Sequence, residues 1–137
     1  MLVSDKIRLL DRIGEGGMGT VWVAEHLTLE TQVAVKLMRA RAKEALQGSE
    51  RFRLEAKAAA RLQSPHVVRT LDYGVTEDDV PYIVMELLQG ETLAERLARE
   101  GSLALADTAT IVAHVAKALG EAHQLGIVHR DIKPSNL

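Results

Sequence analysis

The segment HRDIKPSN, from His129 to Asn136, contains three side chains whose types and spacing suit group transfer. Asp131 can orient a hydroxyl group and accept its proton, and the amide oxygen of Asn136, five positions further on, can bind a metal ion. Lys133 brings positive charge to the place where a transferred phosphoryl group gathers negative charge. The pattern therefore predicts a catalytic loop for phosphoryl transfer. A polar turn with a chance His-Arg-Asp is the alternative interpretation.

A glycine-rich segment near the N-terminus, IGEGGMGTV from Ile13 to Val21, has glycines at positions 14, 16 and 19. Glycines allow backbone N–H groups to approach phosphate oxygens without a Cβ in the way. A dinucleotide fingerprint must open a helix, but these glycines run into TVWVA, which is typical of a strand, and no GxxxxGK[ST] motif occurs. The segment therefore favours a hairpin that folds over phosphates, with an ordinary β-hairpin as the alternative.

Lys36 lies in VAVK, within the strand-like run QVAVKLM from Gln32 to Met38. Side chains alternate along a strand, so Val33 and Val35 should share one face and Ala34 and Lys36 the other. Lys36 would then lie beside a small residue, on a face that a flat ring could occupy, and could reach phosphate oxygens. An ordinary surface lysine is the alternative interpretation.

A carboxylate is needed to orient the Lys36 ammonium group toward phosphates, and Glu55 is the preferred candidate. It lies in SERFRLEAKAAARLQ, a helix-favouring segment that starts at the possible cap Ser49 and ends before a Ser-Pro pair. Glu44 and Glu50 are rival candidates. A solvated Glu55 paired with Arg51 is the alternative interpretation.

The elements that must position these residues fall into two halves. From Ile7 to about Glu86, short β-branched runs separated by turn-forming clusters predict a twisted antiparallel sheet of five strands, with one helix that contains Glu55. After Gly90 the chain is helical in character, in ETLAERLARE and in ADTATIVAHVAKALGEAHQLG. The second helix should carry one apolar stripe and stop at Gly126. The residues of that stripe are Ile111, Val115, Leu119 and Ala122.

Composition excludes several classes of protein. The 137 residues are 47% hydrophobic and 26% charged, and the net charge of −2 gives no electrostatic argument for binding nucleic acid or an anionic membrane. The chain has no cysteine, no HExxH motif, no apolar run of about 20 residues and no signal-peptide centre. These features predict a cytoplasmic segment without membrane contact and without a nucleic-acid partner.

Taken in order, these segments resemble the N-terminal part of a eukaryotic-type protein kinase, and in particular that of bacterial serine/threonine kinases. The matching segments are GEGGMGTV, VAVK, RFRLEAKAAARL, PYIVMELLQG and HRDIKPSN, and they extend over nearly the whole chain. Ile132 stands where leucine is commoner. The resemblance implies an α+β fold, with a five-stranded antiparallel small lobe that contains one key helix and the beginning of a helical large lobe.

The resemblance also implies which residues bind ATP. Val21 and Ala34 would cover the adenine, and Lys36, aligned by Glu55, would hold the α- and β-phosphates. Met85 would be the gatekeeper, and two residues after it would offer backbone groups to the adenine edge. The full set implied in ATP binding is Ile13, Gly14, Glu15, Gly16, Gly17, Met18, Gly19, Thr20, Val21, Ala34, Lys36, Met85, Glu86 and Leu88.

In the terminal loop, the resemblance implies that Asp131 accepts the proton of the substrate hydroxyl and that Lys133 supports the γ-phosphate. Asn136 would bind one Mg²⁺ ion. A lysine two residues after the aspartate resembles the serine/threonine class, so the expected partners are ATP and a protein substrate with Ser or Thr. Arg130 resembles the arrangement whose activity depends on a phosphorylated activation loop.

The family pattern continues beyond the catalytic loop, and we expect this chain to be a partial kinase domain over 1–137. Residues 1–86 would form the small lobe, 87–90 the hinge and 91–137 the start of the large lobe. The DFG aspartate, the second expected Mg²⁺ ligand, does not occur in the chain. The 137-residue chain by itself is therefore expected to be inactive.

Two other functions are compatible with the same residues. A pseudokinase-like module would bind nucleotide or a partner without transferring phosphate, and DFG and APE motifs downstream would argue for the enzyme instead. An unrelated nucleotide-binding α/β domain is disfavoured by the strand that follows Gly19.

Overall fold

A computed structural model describes residues 1–16, 19–38 and 61–137. Its sheet has the strand order β1-β2-β3-β4-β6-β5, and every neighbouring pair is antiparallel. The strands are β1 (Leu2–Ser4), β2 (Ile7–Gly16), β3 (Gly19–His26), β4 (Thr31–Met38), β5 (Thr70–Val75) and β6 (Pro81–Glu86).

The antiparallel sheet is confirmed, and Gly19 opens a strand rather than a helix. Five strands lie between Ile7 and Glu86, as predicted, but the prediction of five for the sheet is wrong because β1 adds a sixth. With only three residues, β1 is too short to show an alternation pattern. Its central residue, Val3, is 4% exposed, so packing against the sheet retains the strand.

The hydrophobic core lies on one face of the sheet. Val33 and Val35 are buried in it as the alternation in β4 predicts, and Val84 of β6 lies opposite Val35. Trp22 and Leu37 pack against the same cluster. The cluster consists of Val3, Ile7, Leu9, Ala24, Val33, Val35, Tyr82 and Val84.

The second half of the chain contains α1 (Leu93–Glu100), α2 (Leu105–Gln124) and a short 3₁₀ turn, η1 (Pro134–Asn136). A capping box starts α1: Glu95 N–H donates to Thr92 Oγ1, and Thr92 N–H donates to the Glu95 carboxylate. The predicted stripe of α2 is its least exposed side, and Ala122 is its most buried residue.

The predicted helix around Glu55 lies outside the described residues, apart from its end at residue 61 onward. Gly17 and Met18 of the glycine segment also lie outside them. Within the described ranges, no helix combines the length and hydropathy that a bilayer-spanning segment needs.

The chain divides into two compact units. The sheet unit comprises Met1–Arg61 and Val68–Leu88, and the helical unit comprises Leu62–Val67 and Gln89–Leu137. Each unit positions its own set of candidate residues.

Candidate active site

The glycine segment forms the end of the β2–β3 hairpin in the sheet unit. Gly14 pairs with Val21, Glu15 with Thr20 and Gly16 with Gly19. The pairing places the three predicted glycines at the end of one antiparallel hairpin, as the sequence predicts.

Gly19 is required by the fold itself. Its φ is +151°, and a Cβ at this position would lie 2.0 Å from the carbonyl oxygen of Leu37. Gly14 and Gly16 differ from it. A Cβ at Gly14 would make an ordinary contact with Val21, and a Cβ at Gly16 would meet no atom within 4 Å among the described residues. Packing within the described chain therefore explains the glycine at 19 but not those at 14 and 16.

Lys36 lies on the sheet face opposite the core cluster. Its cross-strand neighbours are Val21 on β3 and Ile83 on β6. Directly opposed residues of antiparallel strands point to the same face, so these three side chains form one row across the sheet. Two residues earlier, Ala34 lies between Val23 and Met85 in a second row on that face. Backbone pairing thus brings together Val21, Ala34, Lys36 and Met85, as their predicted roles require.

The end of β6 is tied to the chain before β5. Glu86 N–H donates to the carbonyl oxygen of Arg69 at 3.1 Å, and Arg69 N–H donates to Glu86 Oε1 at 2.7 Å. The Glu86 carboxylate is therefore engaged within the sheet unit. Leu88, two residues beyond, is 63% exposed.

In the helical unit, a Schellman motif turns the chain from α2 into the terminal loop. Ile127 N–H donates to the carbonyl oxygen of Ala122 and Gly126 N–H to that of His123. Gly126 has φ +74°, which an L side chain adopts only with strain. The predicted stop at Gly126 is therefore correct, and its backbone conformation explains the residue.

The terminal loop joins three predicted residues by direct hydrogen bonds. Lys133 Nζ lies 2.9 Å from Asp131 Oδ2, and Asn136 Nδ2 donates to the same oxygen at 3.2 Å. Asp131 N–H donates to His129 Nδ1 at 3.2 Å. The hydrogen bond from Lys133 is the largest cause that holds the pKa of the Asp131 carboxyl group below its ordinary value, and the bond from Asn136 acts in the same direction. Asp131 is therefore ionised at neutral pH.

The orientation of Asn136 fits a role as a metal ligand. Its Nδ2 donates both to Asp131 Oδ2 and to the Asp131 carbonyl oxygen, the latter at 2.8 Å. Because the amide nitrogen is committed to Asp131, the amide oxygen points away from it, and an oxygen is what Mg²⁺ requires. The loop is also tied back to α1, since Leu93 N–H donates to the carbonyl oxygen of Leu137 at 2.8 Å.

Arg130 has φ +64°, in the left-handed region. Two other non-glycine residues of the described chain share this conformation, Glu30 and Asp79, and both lie in the turns between antiparallel strands. Arg130 lies outside any hairpin, next to Asp131. Such backbone strain costs on the order of 1–3 kcal/mol and clusters at functional sites.

Sequence reasoning missed several contacts that shape these two sets of residues. The capping box at Thr92 and Glu95 was readable as a T-x-x-E pattern before an apolar helix. The bond from Trp22 Nε1 to Thr20 Oγ1, 3.1 Å long, had only the i,i+2 spacing on a strand as its signal. Glu55, the predicted partner of Lys36, lies outside the described residues.

With this architecture, the chain belongs to the protein kinase domain family, whose model matches residues 7–137. The match and the antiparallel sheet together exclude the alternative of an unrelated nucleotide-binding α/β domain.

The chain is similar to several bacterial serine/threonine-protein kinases. It is 40% identical to PrkC of Bacillus subtilis over 135 residues, which are 98% of this chain and 21% of that protein. It is 40% identical to pkn3 of Myxococcus xanthus over 135 residues, 98% of this chain and 25% of that protein. Its fold resembles the crystal structure of the PknI kinase domain of Mycobacterium tuberculosis with a TM-score of 0.86 and 28% identity. The chain thus spans a fifth to a quarter of these two relatives, and the match covers 96% of this chain and 53% of the PknI kinase domain chain.

Proposed function

We propose that this chain supplies the ATP-binding sheet and the catalytic loop of a protein serine/threonine kinase, which transfers the γ-phosphoryl group of ATP to Ser or Thr hydroxyls of a protein. The relatives named above are serine/threonine-protein kinases. The observation that carries the proposal is the terminal loop, where Asp131 accepts hydrogen bonds from Lys133 and Asn136 within one short segment.

In this proposal the sheet unit binds the nucleotide. Val21, Ala34 and Met85 present apolar surface to the adenine, and Lys36, in the row next to Ala34, contacts the α- and β-phosphates. The glycine hairpin covers the phosphates. The space that the described residues leave beside Gly16 supports this placement, because backbone N–H groups can then approach phosphate oxygens closely. Glu86 and Leu88 offer backbone groups to the adenine edge.

The loop would act on the acceptor hydroxyl. Asp131 accepts the proton of a Ser or Thr hydroxyl as the hydroxyl oxygen bonds to the γ-phosphorus and the bond from that phosphorus to the β–γ bridging oxygen breaks, releasing ADP. Its lowered pKa keeps the Asp131 carboxylate ionised, so that it can accept a hydrogen bond from the hydroxyl before the transfer. Lys133 places positive charge beside the transferred group. Mg²⁺, which the Asn136 amide oxygen would help to hold, neutralises phosphate charge when bound.

Nucleotide binding by the 137-residue chain tests the sheet half of the proposal. Lys36→Met should weaken MgATP binding about 10- to 100-fold, because a hydrogen bond to a charged group contributes about 1.5–3 kcal/mol. Lys6→Met, which removes another lysine of the sheet unit from an exposed turn, is the matched control and should leave the affinity unchanged. Titration calorimetry measures both, and equal affinities for Lys36→Met and the unsubstituted chain would refute the assignment.

Phosphoryl transfer tests the loop and separates a kinase from a pseudokinase. In a protein where this chain is followed by the remainder of a kinase domain, Asp131→Asn should lower transfer of radiolabelled phosphate to an acceptor protein about 100- to 10,000-fold, the usual contribution of a positioned acid or base. MgATP affinity should stay the same. Binding without any Asp131-dependent transfer would favour the pseudokinase.

A further inference from the structure

Two side-chain bonds lie on the face of the β2–β3 hairpin opposite to Lys36. On β3, Trp22 Nε1 donates to Thr20 Oγ1 at 3.1 Å. On β2, Arg12 Nη1 lies 3.1 Å from Glu15 Oε2. In the backbone register Trp22 lies opposite Arg12, and Thr20 lies opposite Glu15. These two cross-strand pairs are therefore linked twice, by the Trp22–Thr20 bond along β3 and by the Arg12–Glu15 ion pair along β2.

The backbone ladder is irregular where it approaches the glycines. The register between β2 and β3 shifts twice, between Leu9 and Arg12 and again between Arg12 and Gly14. An extra residue bends its strand and increases the local twist. In a regular strand, residues three apart point to opposite faces, and the second shift is what brings Arg12 and Glu15 to the same face. The irregularity lies on the β2 side of the hairpin, whereas β3 keeps an unshifted register with β4 from Gly19 to His26.

The two bonds differ in their surroundings. The Arg12–Glu15 pair is about half exposed, with side-chain exposures of 55% and 48%, and pairs of this kind contribute little. The Thr20–Trp22 bond is partly buried, and the ring of Trp22 packs against the hydrophobic core cluster. Trp22 thus connects the glycine end of the hairpin to the rigid part of the sheet unit.

We propose that Trp22 is a positioning residue which, through its hydrogen bond to Thr20, fixes the pitch of the glycine hairpin over the phosphates of ATP. This inference rests on the proposed function and adds a determinant on the face of the hairpin that carries the core cluster, opposite to Lys36. The bond spans Val21, whose own side chain lies on the opposite face with Lys36. Loss of the bond lets the glycine end of the hairpin shift, so the phosphate contacts weaken more than the adenine contacts of Ala34 and Met85, which lie on β4 and β6.

Three substitutions isolate the bond. Trp22→Phe keeps an aromatic ring and removes the donor, Thr20→Val removes the acceptor with little change of shape, and Thr20→Ser keeps a hydroxyl. We expect Trp22→Phe and Thr20→Val each to weaken MgATP binding about fivefold, the size of one partly buried neutral hydrogen bond. The double variant should be no worse than either single variant, and Thr20→Ser should restore most of the affinity.

Adenosine separates positioning from general damage. It lacks phosphates, so Trp22→Phe and Thr20→Val should weaken its binding less than that of MgATP, whereas a loss of sheet stability would weaken adenosine and MgATP to the same extent. Trp22 is the single tryptophan of the chain. Its emission should therefore shift in Thr20→Val and return in Thr20→Ser before any nucleotide is added. Glu25→Gln, which removes the ion pair with Arg8 on the same two strands, is the control and should bind both ligands normally.

Titration calorimetry of the 137-residue chain with MgATP and with adenosine decides the outcome. A loss that is larger for MgATP than for adenosine, non-additive in the double variant and rescued by Thr20→Ser, supports the inference. If the unsubstituted chain binds MgATP and Lys36→Met does not, but Trp22→Phe and Thr20→Val bind normally, the inference is wrong and the proposed function stands. If the unsubstituted chain does not bind MgATP, both fail.

Discussion

The sheet unit buries a cluster of eight hydrophobic side chains, whereas in the described part of the helical unit only Ser64 and Ala122 are buried. Lys36 is consequently held by strand pairing with a core behind it. Asp131 and its neighbours are held by hydrogen bonds within one exposed loop. The candidate nucleotide-binding residues therefore depend on packing across the sheet, while the candidate catalytic residues depend on local polar contacts.

The largest effect should come from placing a charge in the sheet core. Val84 is fully buried, so Val84→Asp should cost several kcal/mol and unfold the sheet unit, because an unpaired buried carboxylate loses its hydration. Val112, on α2, is 61% exposed, and Val112→Asp should change stability by less than about 0.5 kcal/mol. Urea unfolding followed by Trp22 fluorescence and by circular dichroism measures both. Similar losses from the two substitutions would contradict the contrast between the units.

A second effect should appear at the glycine hairpin. Gly19→Ala forces a Cβ against the carbonyl oxygen of Leu37 and should destabilise the sheet unit by about 2 kcal/mol, within the range of other strained backbone sites. Gly16→Ala is the matched control, because a Cβ there meets no described neighbour, and it should leave the unfolding midpoint almost unchanged. We also expect Gly16→Ala to weaken MgATP binding, since phosphates would approach that backbone. A Gly16 variant as unstable as the Gly19 variant would refute this division.

In the helical unit, the capping box at the start of α1 can be tested by substitution. Thr92→Ala removes the acceptor for Glu95 N–H and should destabilise the helix by about 1 kcal/mol, while leaving MgATP binding to the sheet unit unchanged. Thr92→Ser keeps the cap and serves as the control. Helical circular dichroism during urea unfolding reports the change, and equal stability of the Ala and Ser variants would argue against the cap.

The same cap should give the helical unit an acid dependence. Hydrogen bonds from the Thr92 backbone and hydroxyl hold the pKa of Glu95 below its usual 4.5. The folded-state pKa is the lower one, so the cap contributes fully above pH 4.5, and its contribution is lost as the pH falls through the folded pKa. Glu95→Gln should therefore flatten part of the decline in helicity with acid. Glu91 and Asp131 should contribute to the remaining decline, because hydrogen bonds from Arg99 and Lys133 lower their pKa values.

The smallest effect on the fold should come from the loop itself. Lys133→Ala should raise the pKa of Asp131 toward its ordinary value, because the bond from Lys133 is the largest cause that lowers it, and Asn136→Ala should raise it less. Neither substitution should move the unfolding midpoint of the sheet unit. Carboxyl-carbon NMR titration of Asp131 measures the shift, and an unchanged titration in Lys133→Ala would show that the contact does not persist in solution.

Much of the fold was predictable because the signals are local. Alternation in VAVK predicted which face carries Lys36, and the glycine at 126 predicted the end of α2. The strand after Gly19 was predicted from β-branched residues alone. The strand β1 was not predicted, since three residues carry no periodicity and their retention depends on Val3 packing against the sheet. The link from Glu86 to Arg69 was equally hidden, because it joins residues 17 positions apart.

The sequence by itself determined the family resemblance, the residue types of the loop and the alternation of the strands, because each depends on neighbours along the chain. Only the tertiary structure decided that Gly19 is required by contact with Leu37 while Gly16 is not, since that difference depends on an adjacent strand. It also decided that Arg12 and Glu15 share a face with Thr20 and Trp22. A bulge changes the side-chain period, and neither its position nor its partners can be read from the pattern of a single strand.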